Sequence, residues 1–171
     1  MTPEPLSGAT PGGHTGRMAT PYTVTRTTTI SAPAERVHAL VDDFREWPKW
    51  SPWEDLDPQI RRSYSGPDSG VGSAYAWEGN RKAGTGDMTI TGDTPEQVDI
   101  DLHFEKPFAA RNRIELVLTP AGEASTGVEW RMHGELSLVM RLFSIVKSMD
   151  SLVGPDFEKG LARLKRVAES G

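Results

Sequence analysis

Glu78 is the carboxylate whose neighbours most suggest chemistry, because Trp77 precedes it and Asn80 follows two positions later. A carboxyl group set among aromatic side chains resists ionisation, and a raised pKa would suit a general acid or base near neutral pH. Tyr75 and Tyr64 are the hydroxyl groups able to move a proton beside it. Alternation along a strand opposes Glu78 to Trp77, so an inward Trp77 turns Glu78 towards solvent, and the same rule opposes Asp87 to Met88. The histidines offer less. His14 falls in a Pro, Gly and Thr rich stretch, His38 on the outer side of a predicted helix, and His103 and His133 on the polar faces of their strands. No His-x-x-x-His or carboxylate spacing calls for a metal, and no Ser-His-Asp arrangement is legible. The glycines at 66–72 and 84–86 lack the context of a phosphate loop. The sequence has no cysteine, which excludes thiolate nucleophiles, disulfides and Cys-bound metals. No cofactor is called for, and the catalytic set is unknown beyond the candidates Glu78, Tyr75 and Tyr64.

These side chains need a scaffold, and 171 residues suffice for one domain with a real core. Residues 1–20 contain almost nothing to bury and are expected to form a disordered tail, with Met18 an alternative start; residues 21–171 form the domain. A net charge of -5 and a pI near 5.4 argue against nucleic acid or an anionic membrane as main partner, unless the fold assembles a local basic patch. The N-terminus lacks the apolar stretch of a signal peptide, so the expected location is cytoplasmic. Leu138 to Val153 is apolar but carries Arg141, Lys147 and Asp150, too short and too charged to span a bilayer.

Tyr22 to Ser31 is dense in β-branched residues and reads as a strand. Val37, Leu40, Val41 and Phe44 follow Pro33 at helical spacing, predicting a short helix over Ala34 to Phe44. Next comes an aromatic stretch, Trp47 to Trp53, with Trp at every third position and two prolines. Its expected role is to seal one end of a hollow sheet and anchor the short helices. Turn signals then separate six strand-length runs: Gln59–Tyr64, Gly72–Glu78, Lys82–Thr91, Gln97–Glu105, Arg111–Thr119 and Gly127–Leu136. Seven antiparallel strands result. The C-terminal forty residues return to helical period, interrupted at Gly154-Pro155, with Pro155 expected to open a new helix.

On the later strands one face is apolar: Val98, Ile100, Leu102 and Phe104; Ile114, Leu116 and Leu118; Val128, Trp130 and Met132. The other face carries both charge signs, placed to pair across strands. A ligand on the inner face would therefore be apolar or aromatic. Gly84 and Gly86 remove side chains from the strand bearing Met88 and Ile90, which suits sharp curvature or open space.

Ser31-Ala32-Pro33 with Val37, the Phe44–Trp53 stretch, Trp77-Glu78-Gly79-Asn80, Val128-Glu129-Trp130 and Gly154 to Leu161 resemble the START/Bet v 1-like (SRPBCC) superfamily, most closely its polyketide cyclase/dehydrase and lipid-transport branch. The resemblance covers nearly all of residues 22–169. It implies an α+β helix-grip fold: a curved seven-stranded antiparallel sheet around a long C-terminal helix, two short helices after the first strand, and a hydrophobic cavity between. Side chains expected to meet a ligand there are Trp77, Met88, Ile90, Ile100, Leu102, Trp130 and Met132 from the sheet, and Phe143, Met149 and Phe157 from the C-terminal segment. The expected function is binding or transport of a small hydrophobic molecule by a monomer or homodimer. The alternatives are a polyketide cyclase, aromatase or dehydratase, and a protein-interaction module docking through the sheet or Leu138 to Val153.

Overall fold

The computed structural model describes residues 20–136 and 148–171. Phe143, most of the expected tail and most of the Leu138 to Val153 segment lie outside the described residues. Strand β1 (Thr20–Ile30) leads to helix α1 (Ala34–Val41), then six strands follow: β2 (Arg61–Ser65), β3 (Ala74–Glu78), β4 (Thr85–Thr94), β5 (Gln97–Lys106), β6 (Ala110–Pro120) and β7 (Thr126–Leu136). They form one curved antiparallel sheet in the order β1-β7-β6-β5-β4-β3-β2, and helix α2 (Met149–Glu169) packs against β1 and α1. This is the helix-grip fold expected from the sequence. Because β1 and β2 occupy opposite edges, residues 31–60 must cross the concave face.

The crossing explains where α1 stops. Val37, Leu40 and Val41 turn inward, and the helix ends at Val41 rather than Phe44. The indole N–H of Trp50 donates to the Leu40 carbonyl at 2.8 Å, and that of Trp47 to the Val41 carbonyl at 3.0 Å. Two carbonyls that a helix terminus leaves unpaired are thus satisfied by tryptophans that also fill the core. The second expected helix is a single 3₁₀ turn, Trp47–Lys49, with Pro48 inside it.

Strand β4 starts at Thr85, three residues later than the sequence suggests, because Asn80 organises a turn. Its Oδ1 accepts from the backbone N–H groups of Lys82 and Ala83, at 2.9 and 3.0 Å. Gly84, at φ +68°, closes the turn with its N–H on the Asn80 carbonyl.

The expected interruption at Gly154-Pro155 is absent. Helix α2 begins at Met149, where the Ser148 hydroxyl accepts from the N–H of Ser151, and runs through Pro155. Pro155 is exposed, so the carbonyl that it leaves without a partner faces water. Gly154 is buried beneath the Arg26 guanidinium, which bonds Asp150 and Glu158 of the same helix. No described helix is long and apolar enough to cross a membrane.

Candidate functional site

Strand register sets out the inner face in rows. Tyr75 lies opposite Met88, and Met88 opposite Leu102; in the next row Trp77 faces Gly86, which faces Phe104. A side chain at Gly86 would collide with the Trp77 ring, at 2.7 Å. The missing side chain therefore makes room for a tryptophan lying across the sheet rather than leaving a void. Tyr75 and Trp77 stack at 5.8 Å with 20° between their planes, Tyr64 lies 5.3 Å from Tyr75, and Phe104 meets Trp77 edge-on.

Above this aromatic floor runs the loop after the tryptophan turn. Trp47, Trp53, Leu56 and Ile60 form the roof, and a cavity of about 240 Å³ remains between roof and floor. Ser51, Glu54, Lys82 and Ala83 complete the lining. Of the residues expected to meet a ligand, Trp77, Met88 and Leu102 line this cavity, as does Tyr75. Ile90, Ile100, Trp130, Met132 and Phe157 are buried away from it, where Trp130 stacks on Phe157 at 4.2 Å. Met149 is half-buried against the core.

Glu78 is corrected by its position. Its side chain is 60% exposed and pairs with Arg61 at 2.6 Å, so it does not reach the cavity, as alternation from Trp77 requires. The carboxylate at the cavity is Glu54, whose side chain is nearly buried and accepts from Arg62. Arg62 lies opposite Trp77, and Tyr64 opposite Tyr75, so both belong to the inner face. That face thus carries charge where none was expected, on the edge strands: Arg62 on β2 and Arg26 on β1, each beside its carboxylate partners. An edge strand can place a guanidinium where water still reaches it. The central strands cannot.

Burial pushes the Tyr75 hydroxyl up to about 12, Glu54 adds to the shift, and Arg62 opposes it. The phenol is neutral at any physiological pH. Burial likewise raises Tyr64. Further along the sheet, Tyr22 donates to Asn112 Oδ1 at 2.6 Å, a satisfied buried pair in the space left by Gly134. Sequence reasoning passed over Glu54 and Arg62. The signals were there: Glu54 directly follows Trp53, and Arg62 shares strand parity with Tyr64.

The described histidines lie beside carboxylates. His38 is half-buried rather than on an open helix face, with Nε2 2.6 Å from Asp93 and Nδ1 3.7 Å from Asp42. Burial raises the Asp42 pKa, and His38 works against that. His103 faces Asp87, and His133 faces Glu115 on the convex side. Tertiary structure therefore assembles two His and carboxylate groups, His38-Asp42-Asp93 and Asp87-His103-Glu105, that spacing alone did not suggest. In the first, both imidazole nitrogens already face carboxylates.

The profile of the polyketide cyclase/dehydrase and lipid transport family matches residues 21–169. No curated protein sequence matches. Among solved structures, the chain is similar to norcoclaurine synthase from Thalictrum flavum in complex with dopamine and hydroxybenzaldehyde, at 10% identity and TM-score 0.66, over 98% of this chain and 96% of that one. A START superfamily protein from Mycobacterium smegmatis matches at 18% identity and TM-score 0.59, over 86% and 97%. Protein CV1439 from Chromobacterium violaceum matches at 15% and 0.61, over 86% and 96%. Identities this low establish the fold alone. On the profile match and the architecture together, the chain belongs to the polyketide cyclase/dehydrase and lipid transport family of the START/Bet v 1-like superfamily.

Proposed function

We propose that the protein binds a small, largely apolar molecule in the cavity between β3–β5 and the loop over residues 51–60. The observation that carries this reading is the cavity itself, roofed and floored by aromatic side chains. Its volume, about 240 Å³, lies below the roughly 300–1,000 Å³ of pockets for drug-sized ligands. That favours a compound of one or two rings over a two-chain lipid. A cytoplasmic setting belongs to the proposal and is supported by the absence of cysteine. Native mass spectrometry of protein purified from its own host should reveal a bound apolar compound, and naphthalene should quench tryptophan fluorescence saturably. Protein that arrives empty and gives no saturable quenching would defeat the reading.

One observation favours a second reading, an enzyme of the cyclase or dehydratase kind: Tyr75 and Glu54 both line the cavity, close enough for the carboxylate to act on the phenol electrostatically. A neutral phenol can deliver a proton to a substrate oxygen, and a carboxylate can accept one. Incubation with a linear poly-β-keto thioester should then give cyclised product with the native protein and none with Tyr75→Phe. Equal yields from both would remove the chemistry from this corner.

A further inference from the structure

The polar groups that reach the cavity sit at one corner and at the rim. Glu54 accepts from Arg62, so this pair is neutral in sum. Tyr75 is 7% exposed, and Arg62 faces its oxygen as a donor; among the described residues nothing accepts its hydroxyl proton. The Ser51 hydroxyl accepts weakly from the Trp53 N–H. Lys82, at the rim, is exposed, with no carboxylate partner among the described residues. A ligand entering the corner therefore meets one unused neutral donor beside a carboxylate whose charge is already countered.

A ligand carboxylate or phosphate placed there would lose its hydration, face Glu54 and gain only a neutral donor. An uncharged oxygen loses less and accepts the Tyr75 proton. A wholly apolar ligand would leave that donor unpaired, which a buried hydroxyl resists. From this geometry we infer that the site selects an aromatic compound bearing an uncharged oxygen acceptor, set against Tyr75, and rejects the corresponding anion. The inference rests on the cavity being the ligand site, and it names the chemistry that the site reads.

The fold supports the selection from behind. Arg62 holds Glu54, and the Tyr75 ring is fixed between Tyr64 and Trp77. The hydroxyl is therefore positioned before any ligand arrives, and little side-chain entropy is lost on binding.

Calorimetric titration with 2-acetylnaphthalene, naphthalene and 2-naphthoate tests this. The ketone should bind about three- to tenfold more tightly than the hydrocarbon, the worth of one net hydrogen bond, and the carboxylate most weakly. Tyr75→Phe should erase the margin between ketone and hydrocarbon, and naphthalene should bind it at least as tightly as it binds the native protein, because no donor is then left unpaired. Glu54→Gln should raise naphthoate affinity, a readout that remains if Tyr75→Phe is poorly folded. The series is repeated in Lys82→Gln so that attraction at the rim is not mistaken for the corner. Equal affinity for ketone and hydrocarbon, a margin that survives Tyr75→Phe, or naphthoate binding tightest in Lys82→Gln would overturn the inference. If naphthalene and the ketone both fail to bind native protein, the cavity reading falls instead.

Discussion

Two aromatic regions share the concave face, and only one is hollow. Around Trp130 the packing is closed: Phe157 stacks on it at 4.2 Å and 8°, Trp50 meets it edge-on at 5.6 Å, and Trp53 at 5.7 Å. Around Tyr75 and Trp77 the rings stack as well, yet space remains above them. Residue type does not separate the two. The cover does. Helix α2 lays Phe157, Leu161 and Leu164 over β1 and α1, and a helix face fills grooves continuously. The β3–β5 end is covered by a loop that contributes separate side chains, and separate side chains leave gaps. The closed region even tolerates the Trp130 indole N–H buried without a partner among the described residues. The open one keeps its polar groups at the cavity wall.

The largest effect is expected at Trp50. Its removal takes out a fully buried ring and uncaps α1, so Trp50→Ala should cost about 3–5 kcal/mol in urea unfolding. A loss below about 1 kcal/mol would mean that the closed region does not hold the domain together.

Adding atoms should separate the regions further. A Cβ at Gly160 would stand 2.8 Å from Trp130 and 2.9 Å from Pro52, so Gly160→Ala should destabilise by about 1–3 kcal/mol through overpacking. Ala83 lines the cavity, and Ala83→Leu should change stability by less than about 1 kcal/mol while weakening probe binding at least about tenfold. Similar unfolding costs for both variants would show that the cavity end is as tightly packed as the other.

The smallest effect is in pH. The fold raises the Tyr75 hydroxyl from the ordinary 10.0 to about 12. The unfolded chain ionises first, so the stability from keeping this phenol neutral is complete below the ordinary value and is lost as pH rises through the folded one. Titration at 295 nm should show the tyrosines ionising above the ordinary value, with a component at about 12 that is missing from Tyr75→Phe. If all three tyrosines ionise together at the ordinary value, the corner is wetter than its packing indicates.

Much of this architecture was legible in the chain. The strands of β5 to β7 alternate so cleanly that face, register and core follow from period two, and the buried set Val98, Ile100, Leu116 and Trp130 lies where alternation puts it. The candidate site was legible only in part. Tyr75, Trp77, Met88 and Leu102, which line the cavity, could be named from the sequence because they sit on strands. Glu54 was not, because loops have no period. Arg62 was overlooked because a charged residue on a short strand reads as solvent-facing unless its cross-strand neighbour is known, and that neighbour is Trp77. Pro155 misled for a related reason: a proline is a local stop signal, whereas Arg26 lies far away in sequence and holds the helix through it.

What the sequence determined alone is the period of each segment, and with it a seven-stranded sheet, a closing helix and an apolar inner face, since these depend on neighbours two to four residues apart. What only the tertiary structure decided is where that face is solid and where it is open. That depends on which element lies across it, and on Glu54, Arg62 and Tyr75 meeting across a loop and two strands, contacts that no local pattern encodes.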